Sequence, residues 1–149
     1  MIVIYRCPKS FIGDSGHEVS VRALVDTGNQ LRDPFSGKPL CVASYNALRK
    51  LLPKALCAAY EAGEDPVSIL GELAYEEFLR FGVVAFRSLE NTGMLVTYHP
   101  PSVVVEYGDR REERSDLVFA LTAKSLSLDN DTEVLLHPFI LETMGGVGS

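Results

Sequence analysis

Hydrophobic and polar positions alternate along the first part of the chain. Ile2 to Tyr5 is a short β-branched and apolar run. Further on, Val19, Val21 and Ala23 fall on one face of a strand whose other face carries Glu18, Ser20 and Arg22. Period-two alternation of this kind marks a half-buried strand. The turn-rich Gly13-Asp14-Ser15-Gly16 between the two runs predicts a β-hairpin. The alternation ends in Ala23-Leu24-Val25, which is expected to enter the core. Asp33-Pro34 and Ser36-Gly37-Lys38-Pro39 signal turns, after which Leu40 to Ala43 reads as a short buried strand.

The period then changes. Ser44 is a candidate N-cap for a helix through Leu52, with Leu48, Leu51 and Leu52 on one face. Pro53 interrupts it, a second helical piece is expected from Lys54 to Ala62, and Gly63 stops that one. Leu70, Leu73, Ala74, Phe78 and Phe81 form a helical stripe over Val67 to Arg80, ended by Gly82. Strands return at Val83–Phe86, Met94–Tyr98, Val103–Tyr107, Leu117–Thr122 and Val134–Leu136, with Gly108 to Ser115 as a charged hairpin loop. His137 to Leu141 leads into a terminal turn or short helix, and the tail 145–149 is expected to be mobile. The pattern predicts one domain over residues 1–149, mainly β, with a helical insert at about 44–81.

Composition narrows the classes. With 149 residues, 46% hydrophobic and 23% charged, the chain is an ordinary globular one and not a disordered segment. Its formal net charge of −6 makes it a poor counterion for phosphates, so no nucleic-acid partner is expected. No apolar run approaches the ~18 residues of a membrane-spanning helix, and Met1 to Cys7 lacks the pattern of a signal peptide. Cys7, Cys41 and Cys57 are odd in number and widely spaced, which argues against a disulfide framework and for a reducing compartment. His17, His99 and His137 are not at ligand spacing, so neither metal nor cofactor is expected.

The stretch that carries chemistry is Ala23-Leu24-Val25-Asp26-Thr27-Gly28-Asn29. An apolar strand delivers a carboxylate, a hydroxyl and a glycine at its end. Aspartic proteases need a carboxylate at a partly buried strand end, so that two such groups share one proton and hold a water. Asp26 is therefore the candidate catalytic residue, with Thr27, Gly28 and Asn29 supporting its loop. A bland reading stands beside it, since Asp and Gly also mark simple turns. Asp14-Ser15-Gly16 offers a variant of the motif, but it lies one hairpin from Asp26 on the same β unit and is read as a turn. One usable motif remains where the chemistry wants two carboxylates. The consistent solution is a homodimer with Asp26 at its two-fold axis.

Read this way, the chain resembles a retroviral-type aspartic protease, which implies a retropepsin-like barrel with one lobe per chain. Arg87 to Pro100 resembles the flap of that family, the hairpin that closes over an extended peptide. The resemblance makes Asn91, Thr92, Gly93 and Met94 flap and substrate-binding residues, with Gly93 near the tip. An ordinary hairpin with its turn at Asn91 to Gly93 is the alternative.

A narrower family matches more of the chain. Asp26-Thr27-Gly28-Asn29-Gln30-Leu31-Arg32-Asp33-Pro34-Phe35-Ser36-Gly37-Lys38-Pro39 is similar to the D-T-G-N-x-L-x-D-P-x-x-G-x-P signature of the sporulation sigma-E factor processing peptidases. Ala120 to Asp129 and Val134-Leu135-Leu136-His137-Pro138 resemble the C-terminal segment of those proteins. The resemblance runs from about Phe11 to Leu141 and is weakest over Asn46 to Phe81. It implies an aspartic endopeptidase that removes the pro-sequence of the sigma-E precursor. It also implies activation by a signalling protein made in the forespore, and a protease domain on the cytoplasmic, mother-cell side of the septal membrane. The N-terminal membrane domain of the family is absent from this chain. The same fold without turnover, as a dimerisation or peptide-binding module, is the competing reading. One departure stands out. Retroviral proteases carry apolar-apolar-Gly in the late core strand, whereas this chain reads Leu135-Leu136-His137. His137 is expected to be a buried structural histidine, with approach to the catalytic loop as the alternative, and Asn29 and Asp33 are expected to order the loop and helix entry.

Overall fold

The computed structural model describes residues 2–5, 17–87, 92–126 and 132–144. The predicted turn at Gly13–Gly16, Cys7, Asn91 and the tail 145–149 lie outside the described residues. Nine strands are described: β1 (Ile2–Tyr5), β2 (Glu18–Val25), β3 (Leu40–Ser44), β4 (Phe81–Arg87), β5 (Thr92–Tyr98), β6 (Ser102–Tyr107), β7 (Arg110–Arg114), β8 (Val118–Thr122) and β9 (Thr132–Leu136). They form one sheet in the order β4-β5-β8-β3-β9-β2-β1-β6-β7. The architecture is mainly β, as the alternation predicts.

The centre of the sheet matters most. Strand β9 lies between β2 and β3, parallel to β2 and antiparallel to β3, and β3 runs parallel to β8. Parallel neighbours are buried on both faces. Leu40, Cys41, Ala43, Phe119, Ala120, Leu121 and Val134 are accordingly all fully enclosed. The end of β2 differs from expectation. The strand keeps alternating to its last residue, so Leu24 points outward and is 50% exposed instead of joining the core.

The helical insert is present, in shorter pieces than the stripe predicts. Ser44 does cap it, its hydroxyl accepting from the Ala47 N–H, but Tyr45–Leu51 is a 3-10 helix. Helix α1 (Lys54–Ala62) ends at Gly63, whose φ of 71° is the left-handed stop a glycine supplies. The single helix expected over 67–80 is instead α2 (Pro66–Ile69), a 3-10 turn at Leu70–Glu72 and α3 (Tyr75–Phe78). Asp65 caps α2 through the Val67 N–H, while Leu73 and Ala74 are extended and break the run. Strand β4 then begins at Phe81, one residue before the glycine expected to end the helix. Leu48, Leu51, Leu52, Leu56, Tyr60 and Leu70 join the main core, so the insert closes one face of the sheet.

The charged segment after Tyr107 is also not a loop. Gly108, with φ 59°, and Asp109 make a two-residue turn, and Arg110–Arg114 continues as the edge strand β7 paired with β6. Charge on an edge strand resists pairing with other chains, which is why it reads as loop in the sequence. Helix α4 (Pro138–Glu142) closes the described chain. No helix among the described residues is long and apolar enough to cross a membrane.

Candidate active site

Asp26 sits just past β2, where that strand lies against β9. Val25 pairs with Leu136, and the Asp26 N–H donates to the Leu136 carbonyl at 3.0 Å. The strand thus holds the aspartate's backbone up to its last bond and leaves the carboxylate partly buried at the strand end. The chain then turns back on itself. The Asn29 N–H donates to the Asp26 carbonyl at 3.0 Å, and the Gly28 N–H donates to the carboxylate Oδ1 at 3.2 Å. A donor on Oδ1 orients the carboxylate.

The four residues of the motif play different parts. Asn29 is the buried one. Its Nδ2 donates to the Leu40 carbonyl at 2.8 Å and its Oδ1 accepts from the Leu31 N–H at 2.8 Å. It therefore fastens the loop to the start of β3. Thr27 and Gly28 are exposed. Gly28 does not have a positive φ, and a Cβ there would meet only Asp26 Oδ1 at 3.6 Å, an ordinary contact. The chain's own described atoms do not require glycine at this position.

The next turn is ordered in the same way. Asp33 accepts from the Phe35 N–H at 3.2 Å and from the Ser36 hydroxyl at 2.7 Å, and its carbonyl accepts from the Gly37 N–H. The bonds of Asn29 and Asp33 thus lie within the two turns between β2 and β3 and to the start of β3. Arg32, which sequence reasoning did not single out, donates to the Gly37 carbonyl at 3.0 Å and lies 5.0 Å over the Phe139 ring. It links the loop to α4 by a cation–π contact.

His137 follows β9 and is buried, 6% exposed. Its Nδ1 accepts from the Phe139 N–H at 3.1 Å and its carbonyl accepts from the Ile140 N–H at 3.0 Å, so it caps α4. Its Nε2 has no hydrogen-bond partner among the described residues. Burial pushes its pKa below the usual 6.5, Arg32 adds to the lowering, and Glu142 and Asp26 oppose it. The neighbouring Cys41 thiol is pushed up to about 12, chiefly by burial. Arg114 clamps the far side of α4. Its guanidinium grips both Asp116 carboxylate oxygens and donates to the Ile140 carbonyl and the Thr143 hydroxyl. The Arg-x-Asp spacing in the charged stretch was the available signal for this pair, but the bonds to α4 are long-range.

The hairpin of β4 and β5 stands elsewhere. Three strands, β8, β3 and β9, lie between β5 and β2 in the sheet. Thr92, Gly93 and Met94 are on β5, and Asn91 is outside the described residues. Gly93 is inside the strand, opposite Phe86, not at a turn. A Cβ on Gly93 would lie 2.7 Å from the Phe86 ring, so its glycine makes room for a cross-strand aromatic. Among the described pairings, β5 meets β8 only at Thr97 and Tyr98. The outer half of the hairpin is laddered only to itself. The structure brings Asp26 to Asn29 together as one loop and leaves the hairpin residues as a separate group. No cluster of three or more metal-ligating side chains occurs among the described residues.

Comparison with known proteins adds identity to this geometry. The model of a peptidase family described as sporulation factor SpoIIGA matches residues 6–140. A curated relative, the sporulation sigma-E factor-processing peptidase of Priestia megaterium, is 24% identical over 132 residues, covering 88% of this chain and 42% of that protein. The chain thus spans less than half the length of the curated relative it matches. No solved structure matches.

Proposed function

Because the chain belongs to the family of the sporulation factor SpoIIGA peptidases, we propose that it is an aspartic protease domain which cuts the pro-sequence from a sigma-E precursor. The whole chain, 1–149, forms that one domain, a retropepsin-like lobe that pairs with a second copy. The observation that carries the reading is Asp26 itself. It is a partly buried carboxylate at the end of a core strand, with its amide held by Leu136 and its Oδ1 by Gly28.

Two Asp26 carboxylates meet across the dimer axis and titrate as a unit, because like charges so close do not both ionise easily. The ionised member takes a proton from a water held between them, and the protonated member polarises the scissile carbonyl. Thr27, exposed in the single chain, reaches its counterpart across the axis, and Gly28 leaves room for the substrate backbone. Leu24 and Tyr107, 50% and 57% exposed, line one surface pocket that reaches Val25 and Leu136 beside the catalytic loop. Such an apolar surface next to the carboxylate supports contact with a second copy. The β4–β5 hairpin is the flap. Its outer residues are laddered only to each other, which supports that role, with Met94 exposed toward a peptide.

The rest follows the family. The substrate is the precursor protein, the activator is a signalling protein made in the forespore, and a membrane-embedded domain precedes this one in the full-length protein. The protease domain then works on the mother-cell side of the septal membrane. Cleavage of the precursor co-expressed with full-length protein tests the reading. Asp26→Asn keeps an acceptor for the Gly28 N–H and should lower cleavage by about 10²–10⁴-fold. Wild-type cleavage by that variant would contradict the aspartic mechanism and favour a binding module without turnover.

A further inference from the structure

His137 stands where two constraints on the Asp26 loop meet. The residue before it, Leu136, gives its carbonyl to the Asp26 N–H. The residues after it begin α4, whose first turn is held by His137 Nδ1 accepting from Phe139 and by the His137 carbonyl accepting from Ile140. Ser, Thr, Asp and Asn are the usual side-chain caps. An imidazole can take their place only while Nδ1 has a free lone pair. The bond to Phe139 therefore assigns the neutral ring with its proton on Nε2. A protonated ring would turn an N–H toward the Phe139 N–H, and two donors repel.

We infer that His137 is a positioning residue for Asp26: its uncharged ring holds the turn that presents the Leu136 carbonyl to the Asp26 amide, and protonation of the ring loosens that turn and slows cleavage. The inference rests on Asp26 being the catalytic group. It also gives a reason for histidine at a place where glycine serves in the retroviral pattern.

The groups around the ring set the direction. Asp26 comes from the loop after β2, Arg32 from the segment before β3, Cys41 from β3 and Glu142 from α4. Arg32 resists a second positive charge, while Asp26 and Glu142 favour one. The Cys41 thiol stays neutral. Burial outweighs the rest and keeps the ring neutral below its ordinary 6.5. The loss of activity therefore sets in on the acid side of that value.

Two variants and one spectroscopic reading test this. His137→Asn keeps a cap acceptor in Oδ1 but does not titrate, whereas His137→Ala has no cap. Wild-type turnover of the precursor should fall below pH 6.5 with a limiting slope of about tenfold per pH unit. His137→Asn should lack that limb. His137→Ala should lose turnover at every pH, with KM changing less than kcat, and Asn should rescue what Ala loses. In the wild-type protein the Asp26 amide resonance should follow the His137 ring through its titration. Superimposable pH profiles for wild type and His137→Asn would overturn the inference, as would an Asp26 amide that ignores the ring. Undiminished cleavage by Asp26→Asn would instead overturn the catalytic reading, and the amide titration would still decide the role of His137.

Discussion

The loop of Asp26 and the hairpin of β4 and β5 are both strand ends, yet they are held in opposite ways. The loop hangs from the middle of the sheet. Leu136 on β9 and Leu40 on β3 grip it from two sides, and Asn29 closes it from within. The hairpin hangs from the edge, joined to β8 at its root by Thr97 and Tyr98 and beyond that paired only with itself. A carboxylate that must meet a partner in fixed geometry belongs on the first kind of support. A cover that opens and closes belongs on the second. The difference is one of anchoring, and each anchor can be removed.

The largest effect on stability is expected at Asn29. Asn29→Ala strips the Leu40 carbonyl and the Leu31 N–H of their partner and should cost about 2–3 kcal/mol in denaturant unfolding, with cleavage falling as well. A cost below about 0.5 kcal/mol would mean that the loop does not depend on this staple. The hairpin root comes next. A Cβ on Gly82 would lie 2.9 Å from Thr97 Oγ1, and Thr97 is buried where β5 joins β8. Gly82→Ala should therefore cost about 1–2 kcal/mol and speed amide exchange throughout β5.

Acid should act on the side of the loop, where His137 caps α4 and Asp116 grips Arg114, and not on the hairpin. His137 has a lowered pKa in the folded protein, so the unfolded chain binds protons first. Its contribution is complete above 6.5 and is lost as pH falls from there through the lowered folded value. Asp116 is lowered below 3.8, chiefly by its hydrogen bond to Arg114, and its contribution goes only as pH falls below that. Thermal midpoints measured down the pH scale should show a first decline below 6.5 that His137→Asn abolishes, while hairpin exchange stays level over the same range. The smallest effect is expected at the outer hairpin. Gly93→Ala pushes the Phe86 ring aside, but the ring lies at an edge and can turn. The change in global stability should stay below about 1 kcal/mol, while exchange at Thr92 to Leu95 and the KM for the precursor should shift.

The same contrast governs what the sequence discloses. The Asp26 loop is legible because its signals are local: an alternating strand, then Asp-Thr-Gly, with Asn29 one residue beyond. Ser44 and Gly63 mark helix ends for the same reason, since a cap acts on its immediate neighbours. Leu24 misleads because apolar runs at strand ends look alike whether they are buried or exposed. The stripe from Leu70 to Phe81 satisfies helical spacing, but Leu73 and Ala74 are extended and the packing accepts three short pieces. Gly93 reads as a turn glycine because its partner Phe86 is known only from register. Arg114 is hardest to read, because its bonds to Ile140 and Thr143 run to α4 through the tertiary fold, and His137 is hard because imidazole is not one of the usual helix caps.

The central claim is that Asp26 works as one half of a pair. It is tested most directly by co-expressing wild-type and Asp26→Asn full-length chains in equal amounts with the precursor and measuring cleavage. If the two carboxylates of a dimer form one site, random pairing leaves about one quarter of the activity, because one pairing in four has both. If each chain carries its own site, about one half remains, and that result would contradict the account.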